Sequence, residues 1–240
     1  MIQHHTRNHF IMHRRFKTVG QYIYDTNKNK IHSVELLTRK LDGGEINLEG
    51  FFKEADVEQL IPWFNQQIGE AIEFYRQTGI EAHVNIDLPT FKHITEHGAW
   101  EHEADDVQFT LEITKVQGLP DYDLINQIRN PGNFPSKWPW KGLQVALDDY
   151  EIENFNYASL AGKSFDIIKI DKSLVQKFET SNFVHTHLLY LLKNFDCDFI
   201  VEGVETIYQL RALQELGFRY FQGYYFHKPE PLERLIKKAP

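Results

Sequence analysis

The chain has 240 residues, 26 Lys and Arg against 34 Asp and Glu, and a formal net charge of −8 at pH 7. This acidic balance excludes the basic face expected for non-specific duplex nucleic-acid binding, but not an anionic substrate, since bound divalent cations invert a local field. A single cysteine, Cys197, excludes an internal disulfide and fits a reducing compartment, and the lack of any run near ~18 apolar residues or of a signal-like start leads us to expect a cytoplasmic protein with no membrane partner.

In chain order, residues 1 to about 16 read as a short N-terminal extension, with His4, His5, His9 and His13 on a solvated or helical face. Strands are then predicted at Gly20–Asp25, Ile31–Arg39, Glu81–Asp87, Val107–Thr114, Leu143–Asp149, Phe165–Asp171, Asp198–Glu205 and Phe218–Phe226. Helical periodicity covers Val57–Thr78, Lys172–Asn194 with a break near Ser181, and Thr206–Leu216, which Gly217 stops. The three prolines and two tryptophans of Asn130–Lys141 read as a packed loop. Eight strands alternating with helices predict one domain over residues 1–240, a (β/α)₈ barrel of TIM type, a fold that commonly runs to about 250 residues.

Most of these strands carry a polar residue near the C-terminal end: Glu35, Asn85, Glu112, Asp148 with Asp149, Lys169, Glu202 and Gln222. Successive side chains on a strand face opposite ways. In Ala82-His83-Val84-Asn85-Ile86-Asp87 the polar set therefore shares one face and the aliphatics the other. The same division recurs at Leu111-Glu112-Ile113, Val145-Ala146-Leu147-Asp148 and Ile168-Lys169-Ile170. The aliphatic faces should meet helices and the others should look into the barrel, whose catalytic groups sit at C-terminal strand ends. Glu35, Asn85, Glu112 and Asp148 are hard oxygen ligands suited to Mg²⁺ or Mn²⁺. Adjacent Asp148 and Asp149 would let one carboxylate serve two ions, which suits in-line displacement at phosphorus. Lys169 would orient or deprotonate water or neutralise charge, Glu202 and Gln222 would hold water, and Arg39 offers a fork for phosphate or a guanine edge. His83 reads as a hydrogen-bonded interior group rather than a ligand.

These residues resemble the EAL family of cyclic di-GMP phosphodiesterases over nearly the whole chain. Glu35-Leu36-Leu37-Thr38-Arg39 stands where the family has Glu-Ala-Leu-Leu-Arg. Val84-Asn85-Ile86-Asp87, Leu111-Glu112-Ile113-Thr114, Asp148-Asp149, Ile168-Lys169-Ile170-Asp171, Val201-Glu202-Gly203-Val204-Glu205-Thr206 and Gln222-Gly223-Tyr224 through Lys228-Pro229 follow in the family's order. The resemblance implies a modified barrel with one antiparallel strand, a homodimer, and hydrolysis of cyclic di-GMP to linear pGpG with two Mg²⁺ or Mn²⁺ ions. It further implies Glu35, Asn85, Glu112, Asp148 and Asp149 as metal ligands, Lys169, Glu202 and Gln222 as catalytic residues, and Leu37 and Arg39 as substrate contacts.

The chain departs from the family in two places. Lys115 replaces a usual glutamate, and Tyr150–Asn156 replaces a glycine-containing loop; pairing of Lys115 with Glu151 or Glu153 would join the two changes. A catalytically weak or inactive member that binds cyclic di-GMP or a protein is the alternative reading. An unrelated metal-dependent barrel acting on another phosphoester is a third.

Overall fold

The computed structural model describes residues 16–41, 55–99, 101–102, 106–114, 143–152 and 165–239. Its first feature is a hairpin, β1 (Phe16–Asp25) and β2 (Lys30–Lys40). Asp25 Oδ1 accepts the backbone N–H groups of Asn27 at 3.0 Å and Lys28 at 3.1 Å, and Asn29 takes φ 49°, a left-handed position asparagine tolerates. The turn makes β1 antiparallel to β2.

From β2 onward the strands run parallel: β3 (Glu81–Asp87), β4 (Phe109–Thr114), β5 (Gln144–Tyr150), β6 (Ile167–Ile170), β7 (Asp198–Val201) and β8 (Tyr220–Phe221). β8 pairs antiparallel with Tyr24 and Asp25 of β1 and closes a ring of eight. The expected barrel with one antiparallel strand is what the chain forms. Outside the ring, β9 (Glu230–Pro231) pairs with Val19 and Gly20 of β1.

Helices cover the aliphatic faces. α1 (Val57–Thr78) buries Leu60, Phe64, Ile68, Ala71 and Phe74 at helical spacing and ends at Gly79, φ 69°. α2 (Leu88–His97) starts where the Asp87 side chain accepts the N–H of Thr90, with Pro89 in its first turn. Asp171 caps α3 (Lys172–Phe178), Ser181 caps α4 (Asn182–Asn194) and Thr206 caps α5 (Ile207–Leu216) in the same manner, so the break expected near Ser181 is real. α6 (Leu232–Lys238) follows β9. No helix among the described residues is long and apolar enough to cross a membrane.

Two cores result. The larger lies between barrel wall and helices, while Ile23, Ala146, Ile167, Ile200 and Tyr220 form a smaller cluster inside the ring. Below that plug, Arg219 grips the buried Asp25 carboxylate through two hydrogen bonds of 3.0 and 2.6 Å.

Sequence periodicity misplaces several boundaries. β7 stops at Val201 rather than Glu205, and β8 occupies two residues rather than nine, because glycines break both runs. Gly203 takes φ 67°, and Gly223 lies so close to Val204 that a Cβ there would stand 2.0 Å from the Val204 carbonyl oxygen. α2, β9 and α6 are additions; the Asp87 cap and Pro89 are the signals that announce α2. The Asn130–Lys141 segment and the histidine cluster lie outside the described residues.

Gly223→Ala should therefore cost about 2–3 kcal/mol, in the range of an overpacked site whose obstacle is backbone. Its urea midpoint measures this; an unchanged midpoint would show that the Val204 contact relaxes freely.

Candidate active site

Parity places the polar residues one layer above the apolar plug. Gln21 alternates with Ile23, Asp148 with Ala146, Lys169 with Ile167, Glu202 with Ile200 and Gln222 with Tyr220. Glu202 and Gln222 lie one residue past their strands, yet the ladder still holds them: Glu202 N–H donates to Ile170 O at 3.0 Å, Gln222 N–H to Val201 O at 2.9 Å, and Val204 N–H to Gln222 O at 3.1 Å.

Lys169 is the hub. Its side chain is 0% exposed, and Nζ lies 2.7 Å from Glu202 Oε1, 2.9 Å from Glu112 Oε2, 3.0 Å from Asp148 Oδ1 and 3.2 Å from Glu35 Oε1. An ammonium has three donors, so four carboxylates exceed what it can satisfy. Around it, Asn85 Nδ2 donates to Glu35 Oε1 at 3.1 Å, Gln222 Nε2 donates to Glu35 Oε2 at 2.7 Å, and Glu112 Oε1 lies 2.8 Å from His83 Nδ1.

Asp149 reaches the same mouth by a backbone device. Pairing of β5 with β6 is irregular between Leu147 and Tyr150, and Asp149 has φ 81°. Strict alternation would send neighbouring side chains to opposite faces, whereas a bulge re-aims one of them, as bulges next to active sites do. Carboxylate oxygens of Asp148, Asp149 and Glu202 consequently lie within 4.8 Å of one another, as do those of Glu35, Glu112 and Asp148. Asp148 belongs to both groups.

The electrostatics are unbalanced in a way that fits divalent cations. Five carboxylates facing one ammonium leave a formal excess of four negative charges when all are ionised. Burial, only partly offset by Lys169, pushes Glu112 and Glu202 well above the carboxylate range and Asp148 upward. Burial and then repulsion from Asp148 bring Asp149 to about 7. Glu35 is the exception: burial would raise it, but Lys169 with the Gln222 and Asn85 amides holds it at about 2. Burial would lower Lys169, yet Asp148, Glu112, Glu202 and Glu35 outweigh it and keep the ammonium protonated. Lys169 is thus a cation in the metal-free site. Among the described residues, buried Gln222 Oε1 and Asp148 Oδ1 have no aligned hydrogen-bond donor. Oxygen donors with uncompensated charge, sharing one carboxylate between two groups, are what a pair of Mg²⁺ or Mn²⁺ ions requires.

Leu37 and Arg39 continue the inward parity of Glu35 along β2 and are half-buried; the Arg39 guanidinium donates to Thr38 O at 2.8 Å, and among the described residues it makes no ion pair with the carboxylate cluster. Lys115 and Glu153 lie outside the described residues, as does the loop from 153 to 156. Sequence reasoning passed over Gln21, which stands opposite Glu35 in register and receives a 3.4 Å hydrogen bond from Gln222. A lone glutamine in an apolar strand was the signal.

Comparison with known proteins agrees with this arrangement. The EAL domain family model matches residues 5–229. The chain is 25% identical over 245 residues to the probable cyclic di-GMP phosphodiesterase PdeN of Escherichia coli (strain K12), a match covering 95% of this chain and 46% of PdeN. It is 27% identical over 229 residues to the cyclic di-GMP phosphodiesterase PdeH of the same strain, covering 90% of this chain and 84% of PdeH. The chain thus spans about half the length of PdeN. Among solved structures, the EAL enzyme Bd1971 in its cAMP- and cyclic-di-GMP-bound form shares the fold with a TM-score of 0.76 at 22% identity, over 100% of this chain and 69% of that one.

The carboxylates set the pH response of metal-free protein. Glu112, Asp148, Glu202 and Asp149 have folded-state pKa values above their unfolded ones, so the stability they give is complete below about pH 4 and is lost as pH rises through the folded values, about 7 for Asp149. Half-buried His32 and buried His83, each lowered to about 4 chiefly by burial, give the opposite slope up to the ordinary imidazole value of about 6.5. Between about pH 6.5 and 8 the thermal midpoint in EDTA should therefore fall, and Mn²⁺ should restore it most at the upper end, where the carboxylates are deprotonated. A midpoint that climbs over this range without metal would contradict the charge excess.

Proposed function

The chain belongs to the EAL domain family, and from that premise we propose that it hydrolyses cyclic di-GMP to linear pGpG by metal-dependent attack of water. The observation that carries this reading is the pair of carboxylate groups sharing Asp148 around one buried lysine at the barrel mouth.

Glu35, Asn85, Glu112 and Asp148 would hold one divalent ion, and Asp148 with Asp149 the second, Mg²⁺ and Mn²⁺ being the ions such oxygen sets prefer. Two such ions, when bound, would stabilise the entering and departing oxygens of an in-line displacement. Glu202 and Gln222 orient the attacking water from the β7 and β8 ends. Its oxygen forms a bond to phosphorus as the P–O3′ bond opens, and of the water's two protons one ends on the departing 3′ oxygen and the other stays with the new phosphate monoester. The Lys169 ammonium offsets the negative charge that grows on the phosphoryl oxygens. Leu37 and Arg39 contact the nucleotide farther out along β2, where a planar guanidinium suits phosphate or a guanine edge. The active unit in this reading is a cytoplasmic homodimer.

Purified protein with Mn²⁺ or Mg²⁺ should convert cyclic di-GMP to the linear dinucleotide, followed by chromatography. Glu35→Ala, Glu112→Ala and Asp148→Ala should each lower turnover by orders of magnitude while retaining a native circular dichroism spectrum, since each removes a fixed ligand. Near-wild-type turnover in any of the three would sink the ligand assignment. Tight calorimetric binding of cyclic di-GMP with no linear product would instead identify a binding protein.

A further inference from the structure

His83 enters the barrel interior from β3, two residues before Asn85 on the same face, and its side chain is 0% exposed. In the β3–β4 register His83 stands opposite Thr110 and Asn85 opposite Glu112, so the imidazole approaches Glu112 diagonally from the plug side, within reach of long cross-strand pairs. Its Nδ1 meets Glu112 Oε1 at 2.8 Å, while Glu112 Oε2 faces Lys169 Nζ at 2.9 Å. The two oxygens of one carboxylate therefore have separate tasks.

The ring orientation follows from hydrogen-bond accounting. Nε2 is buried and has no partner among the described residues. A proton there would be an orphaned buried donor, and the Nδ1 lone pair would confront a carboxylate oxygen; a proton on Nδ1 satisfies Glu112 and leaves only an unused acceptor. We propose that His83 is a positioning residue that, through Nδ1–H, holds Oε1 of Glu112 away from the cation site, so that Glu112 offers one oxygen and the site favours a small octahedral ion over Ca²⁺.

The inference rests on the metal-site reading above and adds a cause of selectivity to it. Ca²⁺ accepts six to eight oxygens and commonly takes both from one carboxylate, whereas Mg²⁺ demands octahedral geometry at short distance; oxygen-ligated Mn²⁺ is likewise octahedral. A carboxylate with one oxygen already committed suits the latter. Groups that orient a metal ligand from behind are typically worth about 10–100-fold in metal affinity.

The test is calorimetric titration of EDTA-stripped protein with Mn²⁺ and, separately, Ca²⁺, with no nucleotide present. His83→Leu should weaken Mn²⁺ binding by about 10–100-fold and Ca²⁺ binding much less. His83→Asn, whose amide nitrogen falls near the Nδ1 position, should recover most of the Mn²⁺ affinity. His83→Gln, whose amide falls near Nε2, should not, and this Asn–Gln pair decides the matter if the leucine variant does not fold. A general loss of packing would weaken both ions alike, so equal losses overturn the proposal. So does an unaltered Mn²⁺ affinity in folded His83→Leu protein, or in His83→Gln. Failure of the wild-type protein to bind Mn²⁺ would overturn the metal site itself and this role with it.

Discussion

A lysine ammonium buried among four carboxylates is the constraint on which the rest depends. Removing Lys169 Nζ from water costs several kcal/mol, and each carboxylate around it costs a similar amount. Attraction offsets these terms only if the charges are fixed at close range, as they are at 2.7 to 3.2 Å. Four carboxylates on β2, β4, β5 and the end of β7 must therefore converge on one atom from β6. A closed ring achieves this because alternate side chains of every strand share the interior. The charge left over after the lysine is satisfied is a property of the scaffold and makes the mouth a candidate site for cations.

Such a cluster needs a floor. Ile23, Ala146, Ile167, Ile200 and Tyr220 fill the ring one layer below, and they come from the strands that supply Gln21, Asp148, Lys169, Glu202 and Gln222 one step higher. The plug keeps water from reaching the ammonium from beneath, so Lys169 interacts with its carboxylates through a medium less screening than water. Amides complete the layer without adding charge: Asn85 and Gln222 both donate to Glu35 and add to the attraction of Lys169 in keeping it ionised, while its neighbours are driven toward the neutral form.

Strand parity was enough to find this layer. Glu35, Asn85, Glu112, Asp148 and Lys169 each oppose aliphatic neighbours in runs where period-2 alternation is unambiguous, and the barrel brings them together as the alternation requires. Parity could not separate the residues of the polar layer from caps: Asp87 and Asp171 share the faces of Asn85 and Lys169, yet both turn to the first N–H groups of the following helices. Nor could it register the bulge that carries Asp149, because a positive φ at a non-glycine residue leaves no mark on hydrophobic pattern. The ends of β7 and β8 were overextended for a related reason. Apolar residues continue past Val201 and Phe221, but Val204 is buried against the backbone of Gly223 outside any ladder, while Tyr224 and Tyr225 are exposed.

The antiparallel strand brings one further asymmetry to the mouth. In an all-parallel barrel each interior group arrives from the carboxyl end of its strand; β1 runs the other way, so Gln21 lies mid-strand and reaches the layer with four residues of the strand still to come. That chain descends through Ile23 into the plug and ends at Asp25, where Arg219 and the turn N–H groups secure it. Gln21 meanwhile donates to His227 O at 2.9 Å and receives the Gln222 amide at 3.4 Å. One strand thus ties the floor, the polar layer and the segment after β8 together. Gln222 sits beyond a strand only two residues long, and without this cross-connection little besides its own backbone bonds would hold its side chain against Glu35. Closure of the ring by β1 and orientation of Gln222 are therefore one structural event.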